Sequence, residues 1–143
     1  MVITNKKARF NYKLEPEVYE AGIALTGAEA KSLRGGRGDI SDSYAKVIGS
    51  EVYLINANIP CPNLTNYDAT RARKLLLHRG EITSLLTRMK SKKLTFVPIR
   101  LYTKGHLVKV ALALGRGKRK FEKREAIKKK DIKRELEQEL KNG

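Results

Sequence analysis

The sequence runs to 143 residues, with 31 Lys and Arg against 15 Asp and Glu and a formal net charge of +16. That length accommodates one domain, and a hydrophobic content of 41% excludes wholesale disorder. Positive charge in this excess repels itself in a compact state unless a polyanion is at hand. Nucleic acid is therefore the first expected partner and an anionic membrane surface the second.

Strand patterns punctuated by Gly, Pro, Asn and Asp dominate the first 115 residues. Two candidates, 8–14 and 20–26, flank Glu15-Pro16-Glu17. Thr26-Gly27-Ala28-Glu29 then forms a capping-box pattern, predicting a short helix to Arg34 that stops at Gly35. Strands at 44–48 and 52–57 flank Gly49-Ser50, a two-residue hairpin signal. Ile82, Leu85, Leu86 and Met89 fall at i, i+3, i+4 and i+7, the stripe of an amphipathic helix packed on a sheet. A second hairpin joins 94–103 to 107–114 through Lys104-Gly105. About six strands with two to three peripheral helices predict a mainly β fold, an OB-like closed antiparallel barrel. A single sheet with helices on one face is the alternative.

Charge divides the chain. Residues 1–115 carry 19 basic and 9 acidic side chains, whereas 116–134 carry 11 and 3, and the last nine residues are net −2. This predicts a folded body over 1–115 and a basic tail over 116–143. Alone in water the tail has too little apolar surface to offset ordering entropy, so it is expected to be disordered when free. Along a polyanion it could fold with its cations on phosphate.

Within the body, a turn at Lys104-Gly105 would pair Leu101 with Val108 and Val97 with Leu112 on an apolar face. It would set Arg100 opposite Lys109 on the other, either as like charges that share a phosphate or as two solvated side chains pointing apart. Arg34-Gly35-Gly36-Arg37-Gly38-Asp39 reads either as a loop whose backbone approaches phosphate or as an ordinary turn after a helix. Arg71, Arg73, Lys74 and Arg79 surround Leu75-Leu76-Leu77, either as a basic cluster or as a strand or turn with a solvated edge. Trp is absent and aromatics are 6% of the chain, so a wide base-stacking platform has few residues to draw on.

No catalytic centre, metal site or cofactor motif emerges. His78 and His106 lack a nucleophile partner, and Gly115-Arg116-Gly117-Lys118-Arg119 lacks the spacing and the Ser/Thr of a phosphate loop. Cys61 is the single cysteine, which excludes a disulfide framework and fits a reducing cytoplasm. No run of about 18 apolar residues is available to span a bilayer, and Met1 to Lys7 has no apolar segment of a secretory signal. Binding rather than catalysis is the expectation.

Six segments in order carry a resemblance. They are Asn5-Lys6-Lys7-Ala8-Arg9, Tyr19-Glu20-Ala21-Gly22-Ile23, Gly27-Ala28-Glu29-Ala30-Lys31-Ser32-Leu33-Arg34, Ser41-Asp42-Ser43-Tyr44, Arg73-Lys74-Leu75-Leu76-Leu77-His78 and Gly115-Arg116-Gly117-Lys118. Together they resemble the small protein B family, the SsrA-binding proteins of bacterial trans-translation, over about residues 5–135. The resemblance implies an OB-like barrel with a C-terminal tail disordered when free and helical on the ribosome. It implies binding to the tRNA-like domain of transfer-messenger RNA, entry into stalled ribosomes with the alanine-charged RNA and elongation factor Tu, and mimicry of the missing anticodon arm. The tail would enter the small-subunit decoding region and the empty mRNA channel.

By motif, Asn5, Glu20, Leu76 and Lys109 match RNA-binding positions of that family. Asn5 would bond sugar or base, Glu20 would orient Arg or RNA donors from a buried side or stand as a strand-edge carboxylate, and Leu76 would touch an unstacked base or simply pack. Arg100, Arg34, Arg37, Arg73 and Lys74 complete the expected RNA-binding set. Gly117, Lys118, Arg119, Phe121, Glu122, Lys123 and Arg124 match the decoding-region segment. Phe10 stands where the family usually has His, the loop 61–69 is short, Tyr67-Asp68-Ala69 replaces His-Asp-Pro, and Glu122 replaces Asp. A general single-strand RNA-binding or ribosomal barrel, and an RNA-modifying enzyme, are the competing readings.

Overall fold

The computed structural model describes residues 1–118. In chain order it comprises β1 (Val2–Thr4), α1 (Ala8–Asn11), β2 (Tyr12–Ile23), α2 (Gly27–Arg34), β3 (Tyr44–Ile48), β4 (Glu51–Ile55), β5 (Arg73–Leu76), α3 (Arg79–Lys92), β6 (Thr95–Lys104) and β7 (Leu107–Gly117). Antiparallel pairings run β6–β3–β4–β5–β2–β7 and return from β7 to β6, a ring of hydrogen-bonded strands to which β1 adds along β6. The described residues are mainly β, with three helices.

Alternation places Val108, Val110, Leu112 and Leu114 of β7 inside, with Val52, Leu54, Leu75, Phe96 and Leu101 from the other strands. Fully burying side chains of this size stabilises by about 1.5–3 kcal/mol each. Helix α3 lays Ile82 and Leu85 into that core, with Leu86 and Met89 partly buried beside them, following the stripe read from sequence. Helix α2 adds Leu33. Its capping box is formed, with Thr26 Oγ1 accepting from the Glu29 N–H at 3.2 Å and Glu29 Oε1 from the Thr26 N–H at 2.9 Å.

Several expected elements are corrected. Residues 8–11 form a helical turn instead of opening a strand, and β1 was not anticipated. The two strand candidates 8–14 and 20–26 are one strand, β2, whose register shifts between Leu14 and Val18. Pro16 has no N–H to give the ladder there. The shift coincides with a contact to α3, where Arg88 Nη2 meets Glu15 Oε2 at 2.7 Å and Nη1 meets Glu17 and the Tyr19 hydroxyl. Residues 73–76 form a strand, β5, as one of the sequence alternatives had it, but an interior one between β4 and β2 and not a solvated edge. Strand β7 continues past the boundary drawn at residue 115, pairing Arg116 with Lys13 and Gly117 with Tyr12.

The second hairpin turns at Gly105-His106, so Lys104 pairs with Leu107 and Tyr102 with Lys109. Gly105, at φ 62°, occupies the first turn position, as Gly49 does at φ 65° in the other hairpin. Arg100 therefore lies opposite Ala111, and the expected opposition of Arg100 to Lys109 does not occur.

Gly115 lies where β2 and β7 press together. A Cβ there would stand 2.9 Å from Leu14 Cδ2 and 3.2 Å from Tyr12 Cβ. Gly115→Ala is expected to destabilise the fold by about 1–3 kcal/mol through overpacking, read as a lower urea midpoint at unchanged slope.

Candidate nucleic-acid interface

The outer face of the ring carries Arg100, Lys104, Lys109 and Lys74. Cross-strand partners form one row over four strands: Tyr102 on β6 with Lys109 on β7, Lys109 with Gly22 on β2, and Gly22 with Leu76 on β5. The next row joins Arg100, Ala111 and Glu20. Leu76 is 55% exposed, an apolar side chain presented to solvent in a basic surround.

Gly22 makes this surface concave. A Cβ at Gly22 would sit 3.3 Å from Leu76 Cβ. Without it, a cleft of about 220 Å³ opens between Leu76, Lys109, Leu107, His106 and Arg34. Arg34 reaches it from α2 and donates from Nη2 to the His106 carbonyl at 3.0 Å, which fixes the guanidinium at the rim. Arg34, Leu76 and Lys109 are thus brought to one site, with Arg100 on the same face. Lys74 shares the outer face of β5, where its ammonium lies 2.9 Å from Glu51 Oε1.

Glu20 is exposed, not buried as expected. Its carboxylate accepts from the Tyr102 hydroxyl and from Lys104 Nζ at 3.3 Å. The Tyr102 hydroxyl, then Lys104, hold the Glu20 carboxyl below its ordinary range. Burial and the bond to Glu20 push the Tyr102 phenol up to about 12, so the phenol keeps its proton and donates it.

Two of the expected RNA-binding residues lie inside the fold. Asn5 is 6% exposed; its Nδ2 donates to the Pro98 carbonyl at 2.8 Å and its Oδ1 accepts from the Lys7 N–H at 3.1 Å. Its backbone N–H bonds the Ile99 carbonyl at 2.7 Å, so Asn5 braces the irregularity in β6 between Pro98 and Arg100. Arg73 is 0% exposed and its guanidinium is committed to Glu29, Tyr67 and the carbonyls of Ala57, Ala69 and Arg71.

Arg37 is exposed but lines a separate cleft with Lys31, Cys61 and Leu64. Gly117 ends β7, and the Lys118 N–H donates to the Asn11 carbonyl at 2.9 Å. Arg119, Phe121, Glu122, Lys123 and Arg124 lie outside the described residues. Among the described residues no cluster of three or more His, Cys, Asp or Glu is placed to hold a metal ion, and no helix is long and apolar enough to cross a membrane. Tyr102 and Gly22 were missed as site residues. The correct turn position would have exposed Tyr102, because it fixes which residue faces Lys109.

A family model described as SmpB protein matches residues 2–142. The chain belongs to the SmpB family. It is 50% identical over 141 residues to the SsrA-binding protein of Dehalococcoides mccartyi, covering 96% of this chain and 81% of the relative. Against the SsrA-binding protein of Halalkalibacterium halodurans it is 44% identical over 144 residues, covering 99% and 93%. Against that of Sulfurihydrogenibium sp. it is 48% identical over 145 residues, covering 99% and 94%. Among solved structures, one described as "tmRNA-SmpB: a journey to the center of the bacterial ribosome" superimposes with a TM-score of 0.69 at 42% identity, covering 88% of this chain and 94% of that one.

Proposed function

We propose that this chain is a tmRNA-binding adaptor of trans-translation. It grips the tRNA-like domain of transfer-messenger RNA with the outer face of β6, β7, β2 and β5. The RNA carries alanine and elongation factor Tu, and the body of the chain stands in for the missing anticodon arm. The basic tail, 116–143 as first drawn and 119–143 given the extent of β7, enters the decoding region and the empty mRNA channel. We read the ring of strands as an OB-like barrel, the work as cytoplasmic, and the role as binding without catalysis.

One observation carries the RNA-binding reading: Lys109, Leu76 and Arg34 converge on a single cleft floored by a glycine. That combination of phosphate-neutralising cations with an exposed apolar wall suits unstacked bases of a folded RNA loop. The relatives' names and the described tmRNA–SmpB structure support the choice of RNA.

Two measurements test the reading. The purified chain is expected to bind a tRNA-like-domain RNA at least about tenfold more tightly than unstructured RNA of equal length, a gap well beyond what shared phosphate contacts alone provide. Equal affinity would overturn it. Lys109→Ala is expected to weaken binding and to reduce the slope of log K against log salt by about one, for the loss of one phosphate contact. An unchanged slope would remove Lys109 from the phosphate set.

A further inference from the structure

Glu20 poses a problem on a face meant for a polyanion. By charge alone a carboxylate there repels phosphate, and its removal should tighten RNA binding. The geometry around it resolves the conflict. Tyr102 lies on β6 and Glu20 on β2, with β7 between them. Adjacent strands are about 4.8 Å apart, so the two positions are separated by roughly 10 Å. A phenol whose hydroxyl reaches that carboxylate must lie along the sheet surface, across β7. Ala111, opposite Arg100 in one direction and Glu20 in the other, is the small residue on β7 that leaves room for it. The Arg100 guanidinium carbon stands 5.7 Å from the centroid of the same ring.

A tyrosine hydroxyl has one proton to donate and two lone pairs to accept. With the proton committed to Glu20, only acceptor capacity faces outward. Such a group recognises a donor, and the donor that separates RNA from DNA on a sugar surface is the ribose 2′-hydroxyl. Resting on the reading that this face binds tRNA-like RNA, we propose that Tyr102 is an RNA-specificity residue that accepts a hydrogen bond from a ribose 2′-hydroxyl, and that Glu20 is a positioning residue acting through Tyr102. Lys104, held by the other Glu20 oxygen, is kept on the same side for phosphate.

The test uses the full chain and a tRNA-like-domain RNA prepared with 2′-deoxy substitutions scattered at low level. Wild type is expected to reject deoxyribose at one or two positions, enriching them in the unbound pool. Tyr102→Phe keeps the ring and loses the hydroxyl, so that rejection should vanish while affinity for unmodified RNA falls about five- to tenfold, the value of one hydrogen bond. Glu20→Ala should weaken binding by a similar factor despite the added net positive charge. Glu20→Gln retains an acceptor oxygen for the phenol and should recover most of the loss together with the deoxyribose rejection; a purely Coulombic role would not produce the first, nor a merely structural one the second. The salt slope should stay unchanged in Tyr102→Phe, because no phosphate contact is lost.

An unaltered deoxyribose pattern in Tyr102→Phe would overturn the proposal while leaving the RNA reading intact. So would tighter binding by Glu20→Ala. Failure of wild type to prefer the tRNA-like RNA would instead sink the underlying reading, and the two failures are distinguished by the wild-type control.

Discussion

Arg73→Ala is expected to cost about 3–5 kcal/mol of folding stability, the penalty for breaking a buried ion pair from one side. Arg73 and Glu29 are both 0% exposed. Arg73 Nε and Nη2 meet Glu29 Oε2 at 2.9 and 2.7 Å, and Nη1 meets the Ala57 carbonyl at 2.7 Å. Glu29 also accepts from Arg71, from the Tyr67 hydroxyl at 2.9 Å and from the Thr26 N–H at 2.9 Å. One guanidinium thereby ties α2, the loop 57–71 and β5 together. Lysine offers a compact ammonium in place of a planar fork, so Arg73→Lys should recover only part of the loss. Urea denaturation reads both variants, and an unshifted midpoint for Arg73→Ala would refute the network's structural weight.

The same network sets an acid limit. Burial pushes the Glu29 carboxyl up, but the bonds from Arg71, Thr26, Arg73 and Tyr67 prevail and hold it at about 2, against an ordinary 4.5. A carboxyl depressed by folding contributes stability that is complete above its unfolded pKa and disappears as pH falls through its folded one. Glu29 should therefore contribute about 3 kcal/mol at neutral pH that is lost between about pH 4.5 and 2. Glu20, Asp39 and Glu51 are depressed as well, so the quantity to read is the difference between wild type and Glu29→Gln across that window. Parallel curves for the two would count against the assignment.

What could be read from sequence was what depends on near neighbours. The capping box of α2, the Gly49-Ser50 turn and the apolar stripe of α3 each involve residues within one or two turns of one another. The burial of Arg73 and Asn5 was not legible because they have remote side-chain partners: Glu29 is 44 positions from Arg73 and Pro98 is 93 from Asn5. A basic or amide side chain in a basic sequence looks like a ligand contact until its buried partner is known. The hairpin register failed for a smaller reason, the assignment of Gly105 to the second turn position instead of the first. The two-residue error kept the inward face correct, since side chains alternate with period two, yet it changed which side chain lies opposite Lys109. The convergence of Arg34 with Lys109 and Leu76 depends on α2 docking against the hairpin turn, which no local pattern announces.

Ending the chain after Lys118 is expected to separate two activities that the whole protein combines. Residues 1–118 carry 21 basic and 9 acidic side chains, so +12 of the full +16 remains. Gly117 still closes the β2–β7 ladder against Tyr12, and the Lys118 N–H still reaches the Asn11 carbonyl, so the fold is not undercut. A cut at residue 115 would lack that safeguard, because it strips Arg116 and Gly117 from the ladder. Affinity for isolated tRNA-like RNA should change by no more than about threefold, because the proposal puts the tail's phosphate contacts on another partner. Peptide tagging on ribosomes stalled without a stop codon should fall to background, as the proposed placement of residues 119–143 in the decoding region and mRNA channel requires. Both readouts come from one protein preparation, and they fail in different ways. A large loss of RNA affinity with a salt slope reduced by several contacts would mean that tail and body hold the same RNA, and would overturn the division of labour. Retained tagging would overturn the tail's role alone, leaving the outer face of the ring as the RNA-binding surface.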